Sequence, residues 1–367
     1  MTSSLRVVLA GGGTGGHVIP AISLATALRE RGATVSFVGT RGRLEERLVP
    51  KAGFDLAFVD VKPLVGAGIR GKLLGVASLP KSILDATLHL REVSPDVVMG
   101  VGGYVAGPVV LAAALLRIPT ALLEQNATLG MSNRLLKPWV KKAFFAYEAP
   151  MRLFPDGVGC VTGNPIKPSI IAASKRPRKN RGQGRVRLLV MGGSQGAKAI
   201  DERVPAALIE AGLQTKIDVV HQCASVHVAQ VTAAYEAGEI NAEVVSFIED
   251  TASAYLDADL VVARSGATTV SELQAMGLPS VLLPYPHHKD KQQTLNAEPL
   301  RQVGGAVVLD ETSTSVGELA SAIRAFVTDD VRLRAAGKSA ATLGRIDAAG
   351  RISDTLFELA GGDDAGR

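Results

Sequence analysis

The sequence predicts an α/β protein made of two doubly wound domains, each a parallel sheet covered by helices. Three observations predict it. Apolar, β-branched runs alternate with helical patterns along the chain, as expected of strands that need helices to cover them. An apolar strand that delivers a glycine loop to a helix occurs near residue 10 and again near residue 190. The 367 residues give room for two such domains, at roughly 150 residues each.

In the first half, strand Leu5–Leu9 runs into Gly11–Gly16, and a helix follows from Pro20 to Arg31, ended by Gly32. Strands come next at Thr34–Val38, Leu56–Val59, Val97–Met99 and Thr120–Leu123, each with a loop and a helix after it. From Val97 to Leu116 there are 20 residues without a charge, long enough to suggest a membrane span. Gly100, Gly102, Gly103, Gly107 and Pro108 would break a lipid-exposed helix, so this stretch reads as a buried strand, a glycine loop and a buried helix. The pattern restarts at Val186–Met191, which runs into Gly192–Ala197 and a helix. Strands follow at Asp218–His221, Ala242–Phe247, Leu260–Val262, Ser280–Leu283 and Ala306–Leu309. The division falls near Gly163-Asn164-Pro165, giving domains 1–163 and 164–340. A helical pair from Ala340 to Leu359 is expected to bring 341–367 back to the first domain. Ligands of such sheets bind outside the carboxyl ends of the strands, so two facing domains would form a cleft.

Apolar residues make up 47% and charged residues 20%, which is globular and excludes a disordered chain. Cys160 and Cys223 form no CxxC, which argues against a disulfide framework or zinc knuckle and fits a reducing cytoplasm. The start MTSSLRVVLA is too short for a signal peptide, and a soluble protein is expected. The net charge of +5 is uneven: residues 1–163 carry 18 Lys and Arg against 11 Asp and Glu. Two stretches dominate it. Lys175–Arg187 holds seven basic residues and no acid in a loop-like context, and Val61–Leu84 mixes Lys62, Arg70, Lys72 and Lys81 with apolar residues. Each reads as a solvated face, and the second also suits an anionic membrane. Nucleic acid is not an expected partner, since aromatics are 4% with one Trp and stacking platforms are scarce.

Gly11, Gly13 and Gly16 satisfy G-x-G-x-x-G between a strand and a helix, so a dinucleotide site has to be weighed. The ribose-binding acid expected about 20 residues on is missing, because the second strand ends Phe37-Val38-Gly39-Thr40-Arg41. That argues against a dehydrogenase. The full string Gly11 to His17 is more specific. Its glycines let backbone N–H groups approach an anion at a helix N-terminus, and Thr14 adds a hydroxyl donor. A helix N-terminus disfavours imidazolium, and neutral imidazole is what a general base needs, so His17 is the candidate catalytic residue. The second loop, Gly100–Pro108, serves close packing or, paired with the first, a second phosphate. Glu124-Gln125-Asn126 follows a strand end and offers amide and carboxylate groups to a polar ligand.

In the second half, Gly192–Ala197 places Ser194 where a helix N-terminus would suit phosphate. A helix starting near Thr268 would do the same, with Glu272 one turn deeper on the same face. That carboxylate suits the hydroxyls of a ribose, or a capping box. Gln292 and Gln293 suit sugar hydroxyls, and adjacent His287 and His288 lack the spacing of a helical metal pair.

In this order, GGGTGGHVIPA, VGGYVAGP, EQNA, GNPIKP, GGSQGA, FIED, ARSGATTVSE and HKDKQQTLNA resemble the MurG family, N-acetylglucosaminyltransferases that make lipid II in bacterial peptidoglycan synthesis. The strings run from Gly11 to Ala297, most of the chain. The resemblance implies the glycosyltransferase-B architecture: two Rossmann-like domains facing across a deep cleft, with a C-terminal helix returning to the first. It implies an inverting transfer of N-acetylglucosamine from UDP-N-acetylglucosamine to the muramyl 4-hydroxyl of lipid I, with His17, or a water it orders, accepting the proton. For the donor it implies Ile248 at uracil, Glu272 at ribose and Gln293, beside Gln292, at the sugar. Ser194 and the turn Ala267, Thr268, Thr269, Val270 and Ser271 would hold the diphosphate. Thr14, Gly15, Gly16 and Asn126 would reach the donor from the first domain. Lys167 stands where the family often has Arg, keeping the charge but losing the bidentate fork. The acceptor diphosphate would lie against Gly12, Gly13, Gly102, Gly103 and Tyr104. No acidic metal cluster accompanies these motifs, so no metal is expected to be required; magnesium on the diphosphate stays open. A polyprenyl acceptor implies a peripheral protein at the cytoplasmic face of the inner membrane, in contact through Leu73, Leu74, Val76 and Leu79. Other cell-wall synthesis proteins stay open as partners. A transferase for another lipid acceptor and a UDP-sugar epimerase of the same fold remain the alternatives.

Overall fold

The computed structural model describes residues 4–61, 69–177, 184–193 and 196–361, and for 69–76 the backbone alone. The chain forms two compact units, Met1–Lys167 with Ile346–Arg367, and Pro168–Arg345. These boundaries lie a few residues beyond the divisions after 163 and 340 read from the sequence. Of the basic loop Lys175–Arg187, part falls outside the described residues. Two of its cations are structural: Arg185 pairs with Asp218 at 3.0 Å and Arg187 with Asp257 at 3.1 Å.

Unit 1 contains β1 (Arg6–Gly11), α1 (Gly15–Glu30), β2 (Thr34–Gly39), α2 (Leu44–Lys51), β3 (Asp55–Phe58), α3 (Ile69–Val93) and β4 (Val97–Gly102). It continues through α4 (Ala106–Leu115), β5 (Thr120–Glu124), α5 (Met131–Leu136), β6 (Lys142–Phe145), α6 (Glu148–Met151) and β7 (Gly159–Val161). The strands pair in parallel in the order β3-β2-β1-β4-β5-β6-β7. Period-two alternation splits β1 between two cores: Val7 and Leu9 face Leu24 and Leu28 of α1, while Val8 and Ala10 join Ala86 and Leu90 of α3 and Val109 and Val110 of α4. β4 is buried along its whole length, as a central parallel strand should be.

Unit 2 holds α7 (Pro168–Ser174), β8 (Val186–Met191), α8 (Lys198–Glu210), β9 (Ile217–Gln222), α9 (Val228–Ala237), β10 (Ala242–Val245) and α10 (Thr251–Asp257). Then come β11 (Leu260–Ala263), α11 (Ala267–Met276), β12 (Ser280–Leu282), α12 (Gln292–Gln302), β13 (Ala306–Val308), α13 (Val316–Val327) and α14 (Asp330–Ala341). Its parallel sheet has the order β10-β9-β8-β11-β12-β13, so both units switch direction beside the strand that carries their first glycine loop. The chain then returns as α15 (Ala348–Gly361), which buries Ile352 and Leu356 in the core of unit 1 beside α1 and pairs Asp354 with Arg31 at 2.6 Å.

Four local readings differ. α1 begins at Gly15, with Pro20 inside it, because packing on the sheet overrides the missing proline N–H. α11 begins at Ala267. β10 stops at Val245, short of the expected Phe247. β6 and β7 went unread because four and three residues are too few to show a period. No helix among the described residues is long and apolar enough to cross a membrane.

Candidate functional site

β1 and β4 are neighbours, so the two glycine loops of unit 1 leave the sheet side by side. They lock together: Gly12 N–H donates to the Gly102 carbonyl at 3.2 Å. Gly102 has φ +102°, and a β-carbon there would lie 2.5 Å from His17 Cδ2. Only glycine fits under this imidazole.

His17 stands in the first turn of α1, half-buried, with Nδ1 3.2 Å from the Gly12 carbonyl and 3.3 Å from Thr14 Oγ1. A carbonyl can only accept, so Nδ1 carries the proton and Nε2 keeps the lone pair of the neutral ring. Burial pushes the His17 pKa below its ordinary value. The Glu124 charge, the bond to the Gly12 carbonyl and the Glu45 charge pull it back up without overcoming burial. A neutral imidazole with its lone pair on Nε2 is equipped to accept a proton.

The carboxylates around it hold loops. Glu124, buried at the end of β5, accepts from Asn126 N–H (3.1 Å) and Gly130 N–H (2.8 Å) and from the side chains of Asn126 (3.3 Å) and Asn133 (2.9 Å). Gln125 donates to the Val101 carbonyl at 2.8 Å. The strand-end groups Glu124 and Gln125, read from the sequence as offered to a ligand, are thus turned into the fold. Glu45, on α2 and 1% exposed, was not singled out from sequence. It accepts from Gly13 N–H at 2.7 Å and from Thr40 N–H and Oγ1 at 3.1 and 2.8 Å. Nothing local separates it from Glu46, which only closes the turn at Gly42 N–H.

These bonds correct one expectation. The N–H groups of Gly12 and Gly13 are engaged within the fold, by the Gly102 carbonyl and the Glu45 carboxylate, and are not turned toward a ligand. Gly15 and Gly16 form the first turn of α1, where N–H groups have no intrahelical acceptor, and Thr14 caps without using its hydroxyl on the helix. Gly103 is half-buried and Tyr104 is exposed, next to them. Lys167, half-buried, ends the first segment of unit 1.

In unit 2, α11 opens at Gly266, which has no side chain to cap it, so the N–H groups of Ala267, Thr268 and Thr269 lack helical acceptors. Thr268 Oγ1 is buried there without a hydrogen-bond partner. Val270 is buried, and Ser271 Oγ donates back to the Ala267 carbonyl at 2.9 Å. One turn deeper, Glu272 accepts from Tyr255 Oη at 3.0 Å. Burial, and then the Glu272 charge, push Tyr255 far above its ordinary pKa, so it stays a donor. Gln293 Oε1 accepts from Tyr285 N–H at 2.9 Å, and its carbonyl from Ser265 at 2.8 Å, which leaves Nε2 for a ligand. Gln292 is taken up by His288 at 3.0 Å. Ile248 is half-buried just before α10, whose N-cap is Asp250. Ser194 lies outside the described residues. Among those described, no group of three or more His, Cys, Asp or Glu could hold a metal ion.

Residues 7–145 match the glycosyltransferase family 28 N-terminal domain and residues 187–352 its C-terminal domain. A relative from Anaeromyxobacter sp. (strain Fw109-5) is 43% identical over 97% of this chain and 93% of its own. It is named UDP-N-acetylglucosamine--N-acetylmuramyl-(pentapeptide) pyrophosphoryl-undecaprenol N-acetylglucosamine transferase. One of the same name from Shewanella woodyi is 38% identical over 97% of both chains. Among solved structures, MurG of Acinetobacter baumannii superposes with a TM-score of 0.80 at 30% identity, covering 96% of this chain and 99% of that one.

Proposed function

The chain belongs to glycosyltransferase family 28, and we propose that it performs the transfer for which its relatives are named. N-acetylglucosamine passes from UDP-N-acetylglucosamine to the muramyl 4-hydroxyl of lipid I, giving lipid II. The observation that carries this is 43% identity sustained over 97% of the chain, with both family domains matched.

The donor is α-linked and the product β-linked, so one displacement inverts the anomeric carbon. The 4-hydroxyl oxygen forms the new bond as the bond to UDP breaks. His17 Nε2, directly or through a water, takes the hydroxyl proton; the neutral ring with its proton held on Nδ1 supports this role. In unit 2 the diphosphate lies at the first turn of α11, supported by its uncapped N–H groups and the unpartnered Thr268 hydroxyl. Charge growing on the leaving diphosphate is stabilised there by about 3 kcal/mol per well-placed donor. Glu272 binds the ribose, Gln293 the sugar, and the backbone at Ile248 the uracil. Gly15, Gly16, Thr14, Asn126 and Lys167 supply further donor contacts, and Ser194 a phosphate contact. Tyr104, Gly102 and Gly103 line the acceptor diphosphate, with Gly12 and Gly13 shaping the loop, their N–H groups donating within the fold rather than to the ligand. No metal is required, magnesium serving only as an aid to the diphosphate; turnover in the presence of a chelator checks this.

The protein works at the cytoplasmic face of the inner membrane, through unit 1. Of the residues expected at that contact, the side chains of Leu73, Leu74 and Val76 lie outside the description and Leu79 is half-buried. Farther along, α3, α4 and α5 pack side by side and leave Leu84, Leu88, Leu115, Met131 and Leu135 exposed, and α5 also carries the exposed Arg134. Leu84→Glu with Leu88→Glu should weaken sedimentation with anionic liposomes and leave UDP binding intact; unchanged sedimentation would remove this face. The function itself is tested by moving labelled N-acetylglucosamine from its UDP donor to a short-chain lipid I analogue. Transfer is expected. Donor binding without transfer by folded protein would move the function to another acceptor or to an epimerase.

A further inference from the structure

The Gly12 carbonyl and the Gly13 N–H are two ends of one peptide group. At one end the carbonyl accepts from His17 Nδ1 at 3.2 Å. At the other the N–H donates to Glu45 Oε2 at 2.7 Å. We propose that Glu45 is a positioning residue for His17, acting through the Gly12–Gly13 peptide as an interposed relay.

The surroundings are built for this contact. A β-carbon on Gly12 would lie 2.2 Å from Glu45 Cδ, and one on Gly39 would lie 2.7 Å from Glu45 Cγ, so two glycines open the space for the buried carboxylate. Its other oxygen is tied to Thr40 N–H and Oγ1, which fixes the side chain from α2 against the end of β2. An anionic acceptor on the N–H polarises the peptide and makes its carbonyl a stronger acceptor, since hydrogen bonds in series strengthen one another. The stronger acceptor holds the proton on Nδ1, keeps the lone pair on Nε2 and stabilises the imidazolium that forms when His17 takes a proton. Two buried carboxylates bear on the ring, Glu124 from β5 and Glu45 from α2, with the Thr14 hydroxyl and Gly12 carbonyl from its own loop. Glu45 is the one joined to it by a bonded path.

The inference rests on the reading of His17 as the base, so one readout must not depend on turnover. Glu45→Gln keeps the shape and removes the charge. It should lower kcat about tenfold with the donor KM little changed, as loss of an orienting partner does. The acid limb of kcat should move to lower pH, because a negative charge that raised the His17 pKa is gone. In the double variant Glu45→Gln, His17→Ala, the glutamate substitution should cost nothing further. Imidazole 15N shifts of His17 in the unliganded protein should show Nδ1–H dominant in wild type and a mixed tautomer in Glu45→Gln. Unchanged tautomer and kcat, or a loss that adds fully to that of His17→Ala, would overturn the proposal. Absent transfer by wild type with the tautomer shift present would fault the functional reading instead. If Glu45→Gln does not fold, Thr40→Val, which removes one donor to the carboxylate, should give a smaller tautomer shift; none would overturn it.

Discussion

The first glycine loops of the two units begin alike, on a central strand at the point where strand order reverses, yet they do different work. In unit 1 three residues separate β1 from α1, and glycines make room for side chains: Gly12 of this loop for Glu45, and Gly102 at the end of neighbouring β4 for His17. In unit 2 six residues separate β8 from α8, and the buried acid just beyond, Asp201, holds two histidines with its side chain. It binds His227 Nδ1 at 2.7 Å and His221 Nε2 at 3.4 Å. The uncapped helix start with an unpartnered hydroxyl lies one strand over, at α11. On the proposed reading, the loop of unit 1 orients a proton acceptor, while in unit 2 the turn at α11 adds to whatever the glycine loop gives the anion.

The sharpest way to break this contrast is Gly102→Ala. The new methyl would sit 2.5 Å from His17 Cδ2 and strain a residue at φ +102°, displacing the ring. Turnover should fall about a hundredfold, the usual cost of misplacing a reacting group by an ångström, with calorimetric affinity for UDP-N-acetylglucosamine within about twofold. A loss of donor affinity as large as the loss of turnover would erase the distinction between the units. Thr268→Val is the converse in unit 2. Donor affinity should drop about fivefold to tenfold, a hydrogen bond's worth, while the His17 tautomer stays as it was. Unaltered affinity would take the hydroxyl out of the anion site.

The pH profile gives a smaller effect. A base must be deprotonated, and burial lowers the His17 pKa from 6.5, so kcat should stay flat as pH falls through 6.5 and decline only below it. A limb at or above 6.5 would mean the charges of Glu124 and Glu45 outweigh burial.

What could be read from sequence follows the same divide. Repeated strand–glycine–helix units announced both sheets, and His17, Thr268 and Glu272 could be singled out because each sits within a contiguous string. Glu45 could not, because Gly13, the partner that ties it to the site, is 32 residues away and only the fold brings the two together. Gly12 and Gly13 looked like anion donors for the same reason: local spacing shows that an N–H can point outward, not that a distant carbonyl (Gly102) or carboxylate (Glu45) has already claimed it. Short edge strands such as β7, with three residues, carry no period to read.

The division of labour between the units is tested most directly by His17→Ala, with turnover and donor affinity measured on one preparation. Loss of a general base should cut kcat about a hundredfold to ten-thousandfold and leave the dissociation constant for UDP-N-acetylglucosamine unchanged. Turnover near the wild-type rate, or donor affinity lost in step with it, would contradict the assignment of proton transfer to unit 1 and donor binding to unit 2.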